Sequence, residues 1–170
     1  MTDSNYTASS PAALPRVSLD AFFAMLIAGA VATVAFDIWG QTIAPWLGLG
    51  NLAPTPLAQG FLGKLGFADV GRPEGYFMHL FVVGMIGYPI GYMLVFKPLW
   101  DRFVGVGGWL APAAVYGAAL WVVAIGAIAG WVTGNVFLGF TRITWVALAG
   151  HVFYGIALGA TLAWLSRRAA

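Results

Sequence analysis

Ala28-Gly29-Ala30-Val31-Ala32-Thr33-Val34-Ala35-Phe36-Asp37-Ile38-Trp39 decides how the chain reads: an apolar run suited to a membrane, with one carboxylate inside it. An ionisable group at membrane depth costs about 2.5–3.5 kcal/mol on insertion scales, so Asp37 needs a compensating partner or a function. Upstream of it, Ala21 to Phe36 is unbroken apolar or small sequence, and Ser18 and Asp20 supply an N-cap and a first-turn negative charge. A helix over about 19–44 follows, ending before Pro45 because the residue preceding a proline is pushed out of helical geometry. Gly29, Thr33, Asp37 and Gln41 recur at every fourth residue, a small-to-polar stripe expected to face other helices.

Composition carries the same message across the whole chain. Hydrophobic residues make up 61% of the 170 and charged residues 8%, with a mean hydropathy of +0.85. Soluble domains carry about 25% charged residues, so this chain cannot build a water-facing surface. Three more apolar stretches, about 75–96, 109–132 and 143–165, complete an all-α membrane protein, a four-transmembrane-helix bundle. Residues 1–17 are polar and proline-containing and read as a disordered N-terminal tail. The Asn5-Tyr6-Thr7 sequon within that tail is discounted, because the topology below leaves it in the cytoplasm.

Glycines mark the helix-packing faces: Gly84, Gly87 and Gly91 in the second span, Gly126 and Gly130 in the third, Gly155 and Gly159 in the fourth. Pro89 should kink the second span. Residues 47–74 form a long extracytoplasmic loop, in which Pro56 to Phe67 is expected as an interfacial helix, with Leu57, Phe61 and Leu65 on one side. Tryptophans 39, 46, 100, 109, 131, 145 and 164 fall mostly at span ends, as an interfacial belt. Arg16, Lys97, Arg102, Arg167 and Arg168 lie on one side of the four spans and Lys64, Arg72 and Arg142 on the other, which favours both termini in the cytoplasm.

Several chemistries drop out. There is no cysteine, hence no disulfide, thiolate metal site or Cys nucleophile. Serines occur only in the amino-terminal region and at Ser166, far from both histidines, so no Ser-His-Asp triad assembles and no catalytic residue is nominated. The net charge of +2 is spread without a basic tract, which argues against nucleic acid.

What remains is a layer of candidates. At ~1.5 Å per residue, His79 sits ~6 Å inside its helix, His151 ~12 Å inside and Asp37 ~6–12 Å from the end of its own, all toward the same membrane face. Asp37, His79 and His151, with Thr33 and Gln41, are the candidate binding residues. A polar packing device is the plainest reading. A proton or small-solute site is the next. The residue types also suit a divalent metal or a haem b held by His79 and His151, although no metal motif is present and no cofactor is expected. His79-Leu80-Phe81 parallels His151-Val152-Phe153, and Gly29-Ala30 parallels Gly117-Ala118, so the bundle can be read as two parallel two-helix repeats with the histidines in equivalent places.

The segments Ala32-Thr33-Val34-Ala35-Phe36-Asp37-Ile38-Trp39 and Glu74-Gly75-Tyr76-Phe77-Met78-His79 together resemble the YagU-like family of small bacterial inner-membrane proteins. The resemblance covers the first two spans through Thr33, Asp37, Trp39 and His79, with His151 a looser match. It implies a bacterial inner membrane, a linked Asp37–His79 pair and a loose association with acid tolerance, without a mechanism. The expectation is therefore a small non-enzymatic membrane protein whose Asp/His layer near the outer face binds or senses protons or a small solute. The alternatives are a structural or assembly subunit of a larger membrane complex and a haem- or metal-binding redox subunit. The lipid bilayer is the expected partner, and any transport role would require a homodimer.

Overall fold

Helices account for the secondary structure of this computed structural model, which describes residues 18–105 and 107–169; the tail at 1–17, expected to be disordered, lies outside them. In chain order they are α1 (Leu19–Trp46), α2 (Pro54–Lys64), α3 (Arg72–Phe103), α4 (Leu110–Thr133) and α5 (Arg142–Arg168). All except α2 are long and apolar enough to cross a membrane. Ser18 opens α1, its side-chain oxygen accepting from the Ala21 N–H at 3.1 Å. A short 3-10 turn, Val136–Phe140, joins α4 to α5. Its Phe137, Leu138 and Phe140 adopt positive φ, a conformation costly for L-residues with side chains.

α5 is the spine of the bundle and packs along both α1 and α4, while α3 lies on the other flank of α1 and touches α4 only lightly. Small residues allow these approaches. A Cβ on Gly155 would fall 2.2 Å from the Ala113 carbonyl oxygen, and one on Gly117 would fall 2.2 Å from the His151 carbonyl oxygen, so α4 and α5 cross with their backbones in contact. On the α1–α3 side, a Cβ on Gly29 would fall 2.8 Å from the Met85 backbone and the Pro89 ring, and Gly84 faces Thr33. Outside these seams the large apolar side chains, among them Phe23, Val34, Leu94 and Val122, are exposed around the bundle, as lipid contact requires.

Prolines produce the main departures from expectation. α1 does not stop before Pro45, and α3, expected to run through Pro89, also passes Lys97-Pro98 to reach Phe103. In each case the residue before the proline donates its N–H five residues back: Ala44 to Trp39, Tyr88 to Val83, Lys97 to Tyr92. Proline in a helix lacks a donor and clashes with the carbonyl four residues earlier. Widening the turn moves that carbonyl to another partner, and the helix continues. Pro89 itself is buried and packs into the notch at Gly29.

The loop helix also differs. α2 begins at Pro54 rather than Pro56 and ends at Lys64, leaving Leu65 outside the helix and exposed. It wedges between the start of α3 and the end of α4, with Gly60 against Val132 and Phe61 edge-on to Trp131 at 5.9 Å between centroids. α2 thus fills the gap that the light α3–α4 contact leaves at this end.

Candidate functional site

Asp37 and His79 come together at the α1–α3 seam. The His79 Nε2 lies 3.0 Å from Asp37 Oδ1, and the Gln41 amide donates to the same oxygen at 2.7 Å. A carboxylate only accepts, so the Asp37 contact places the ring proton of His79 on Nε2. The two side chains are 25% and 14% exposed, partly withdrawn from their surroundings. Because the helices are longer than expected, the pair is also deeper. At ~1.5 Å per residue, Asp37 is about 13 Å from the end of α1 and His79 about 10 Å into α3. Asp37 sits just before the widened turn Trp39–Ile43 and His79 within the widened segment Met78–Gly87, a helix irregularity that recurs at functional sites.

The stripe that led to Asp37 does not stay inside the bundle. Gly29 and Thr33 are buried, Asp37 is partly buried and Gln41 is exposed. Four residues turn a 3.6-residue helix by about 40° beyond a full circle, so two such steps carry Asp37 about 80° away from the face of Gly29, and Gln41 follows it within the widened turn. Thr33 is held in place by donating to the Gly29 carbonyl at 2.8 Å. Trp39, assigned above to the interfacial belt, instead turns inward, its indole N–H donating to the Val146 carbonyl on α5 at 2.9 Å.

His151 stands apart from the carboxylate. It is buried on α5, its Nδ1 2.7 Å from the Ala147 carbonyl, which makes Nδ1 the protonated nitrogen. The Phe36 ring packs against both imidazoles, 5.0 Å from His151 and 6.0 Å from His79 between centroids. The three residues expected in one layer thus form one pair and one separate imidazole. Among the described residues no three His, Cys, Asp or Glu side chains gather where they could hold a metal ion. The repeat comparison explains the split: aligning Gly29 with Gly117 puts Ile125 at the position of Asp37. The two helix pairs also cross at different depths, since Gly29 opposes Met85, well past His79, whereas Gly117 opposes His151 itself.

The remaining glycines divide in the same geometric way. Gly91 meets the Tyr116 hydroxyl, Gly126 the Phe137 ring, Gly130 the Val136 backbone and Gly159 the Ala113 side chain. Gly87 is exposed, and a Cβ there would meet only its own helix at Val82, so it makes no close approach to another helix.

Sequence reasoning missed the space these elements enclose. A cavity of about 530 Å³, within the range of small-molecule sites, lies between the spans and under α2. Its wall is mainly apolar, with Leu57 and Phe61 of α2 on one side, and its polar members include Thr33, His79, Tyr88, His151 and Tyr154. Tyr154, three residues after His151 on the same face of α5, donates to the buried Gly84 carbonyl at 2.6 Å and ties α5 to α3. Helical periodicity could have linked Tyr154 to His151. No sequence signal reveals Tyr88, whose position depends on the widened turn before Pro89.

No family model, no curated protein and no solved structure matches this chain.

Proposed function

We propose that the chain is a non-enzymatic inner-membrane binding protein, in which the Asp37–His79 pair carries a titratable proton at the wall of a cavity that takes a small solute. One observation carries this reading: the imidazole that contacts the carboxylate at 3.0 Å also lines the cavity. Imidazole is the side chain whose ordinary pKa falls between pH 5 and 8. Protonating His79 turns its contact with Asp37 into a charge pair and removes the acceptor at Nδ1. A solute touching that ring is therefore linked to the proton, and by reciprocity the proton to the solute.

The test is the nitrogen-15 chemical shifts of the His79 ring, recorded on the purified protein in lipid nanodiscs alongside Asp37→Asn. Ring shifts that change when the carboxylate is removed support the linked pair. Ring shifts that stay in place refute it. The five-against-three distribution of basic residues supports cytoplasmic termini in a bacterial inner membrane. Reporter fusions at each terminus read this directly, and activity of a periplasmic reporter there reverses the orientation.

A second reading is favoured by α3, the least enclosed of the four spans. Its exposed apolar face, including Phe77, Phe81 and Leu94, fits packing against a second copy or a subunit of a larger membrane complex. Cross-linking from cysteines placed on that face distinguishes this from an α3 that contacts lipid alone.

A further inference from the structure

The hydrogen-bonding groups on the cavity wall are unevenly committed. Thr33 has given its proton to the Gly29 carbonyl, Tyr154 to Gly84 and Thr133 to Ala129. His79 gives its Nε2 proton to Asp37, and His151 gives its Nδ1 proton to Ala147. In the neutral ring of His151 the other nitrogen, Nε2, holds a lone pair. Nε2 has no hydrogen-bond partner among the described residues, yet no buried side-chain nitrogen or oxygen there is left unpaired. It is therefore reached from the cavity that His151 lines. Tyr88 lies beside it, 6.4 Å from His151 between ring centroids, and its hydroxyl also has no partner among the described residues. The wall thus offers the lone pairs of His151 Nε2 and His79 Nδ1 and the hydroxyl of Tyr88, whose ring neighbours that of His151, on a surface that is otherwise mainly apolar and has no Lys, Arg, Asp or Glu in its lining.

We infer that the cavity binds a neutral, mainly apolar alcohol or phenol, its hydroxyl donating to His151 Nε2 and accepting from Tyr88. This rests on the binding reading above and names its ligand class. A hydroxyl is the smallest head that donates and accepts at one atom, which is what the adjacent His151 and Tyr88 require. An anion would find no Lys or Arg on the wall and would meet the lone pair of His151. A metal ion would find no carboxylate on the wall. The apolar remainder of the ligand gains from burial against α2 and the spans, as in small-molecule sites generally.

The probes are 4-propylphenol and its methyl ether, 4-propylanisole, which share a shape but differ in the donor. Binding is measured by ligand-observed NMR on the full chain in nanodiscs, with empty nanodiscs subtracted. The expected result is about tenfold tighter binding of the phenol, a preference lost in His151→Phe and a site blocked for both probes by Ala58→Phe on α2. Equal affinity of the two probes for the native chain, blocked by Ala58→Phe, overturns the hydroxyl assignment while leaving a solute cavity in place. Binding of neither probe, or binding that Ala58→Phe leaves unchanged, overturns the hydroxyl assignment and removes support for the cavity as a solute site. The comparison on the native chain decides the matter even where His151→Phe fails to fold.

Discussion

Replacing Asp37 and His79 by alanine, singly and together, should show a coupling of about 0.6–1.7 kcal/mol. Hydrogen bonds to charged groups are worth about 1.5–3 kcal/mol in water-soluble proteins, whereas side-chain bonds inside membrane proteins average about 0.6 and reach about 1.7. The lower range applies because Asp37 is 25% exposed and shares its Oδ1 with Gln41. The single variants should be unequal. His79→Ala leaves a carboxylate at depth with only the Gln41 amide, while Asp37→Ala removes the costly charge itself, so His79→Ala is the more damaging. The assay is unfolding of helical structure in lipid micelles titrated with SDS, followed by circular dichroism. A parallel cycle between Asp37 and His151 should give a coupling near zero, since Phe36 packs against His151 and the carboxylate bonds elsewhere. A zero coupling for Asp37–His79, or a larger one for Asp37–His151, refutes the pairing.

The same assay reads two further variants. Gly155→Ala should destabilise by about 1–3 kcal/mol, because its Cβ meets backbone atoms of Ala113 and Gly117 that no rotamer can move aside; Gly63→Ala, with nothing within 4 Å, should be neutral or stabilise by up to about 1 kcal/mol. Equal effects of the two would remove the backbone contact as the reason for the glycine. Tyr154→Phe should cost about 1–3 kcal/mol by leaving the buried Gly84 carbonyl unpaired, and an unchanged unfolding midpoint would mean that another donor reaches it.

The architecture was legible in the sequence because length and hydropathy alone specify a spanning helix. Asp37, His79 and His151 were legible as one layer because few ionisable residues share that depth, but depth left both histidines as partners, and the contact with His79 depends on how α1 and α3 pack. Helix ends were less legible wherever proline intervened. Pro45 and Pro98 read as stops, and a widened turn, which no local pattern announces, lets the helix pass. Four-residue spacing also misled at Gln41, since the stripe drifts along a 3.6-residue helix and then enters that widened turn. The cavity was not legible at all. It depends on α3 and α4 standing apart and on α2 entering between them, a tertiary arrangement that a loop rich in glycine and proline does not encode locally.

The proton positions on the two imidazoles are the sharpest point of contact with experiment. Nitrogen-15 chemical shifts of His79 and His151, recorded at pH 8 on the protein in lipid, separate the tautomers. His79 should carry its proton on Nε2, facing Asp37, and His151 on Nδ1, facing the Ala147 carbonyl, with an unprotonated Nε2 open to the cavity. A His79 spectrum unaffected by Asp37→Asn would contradict the pair, and a proton on His151 Nε2 would contradict the acceptor in the cavity wall.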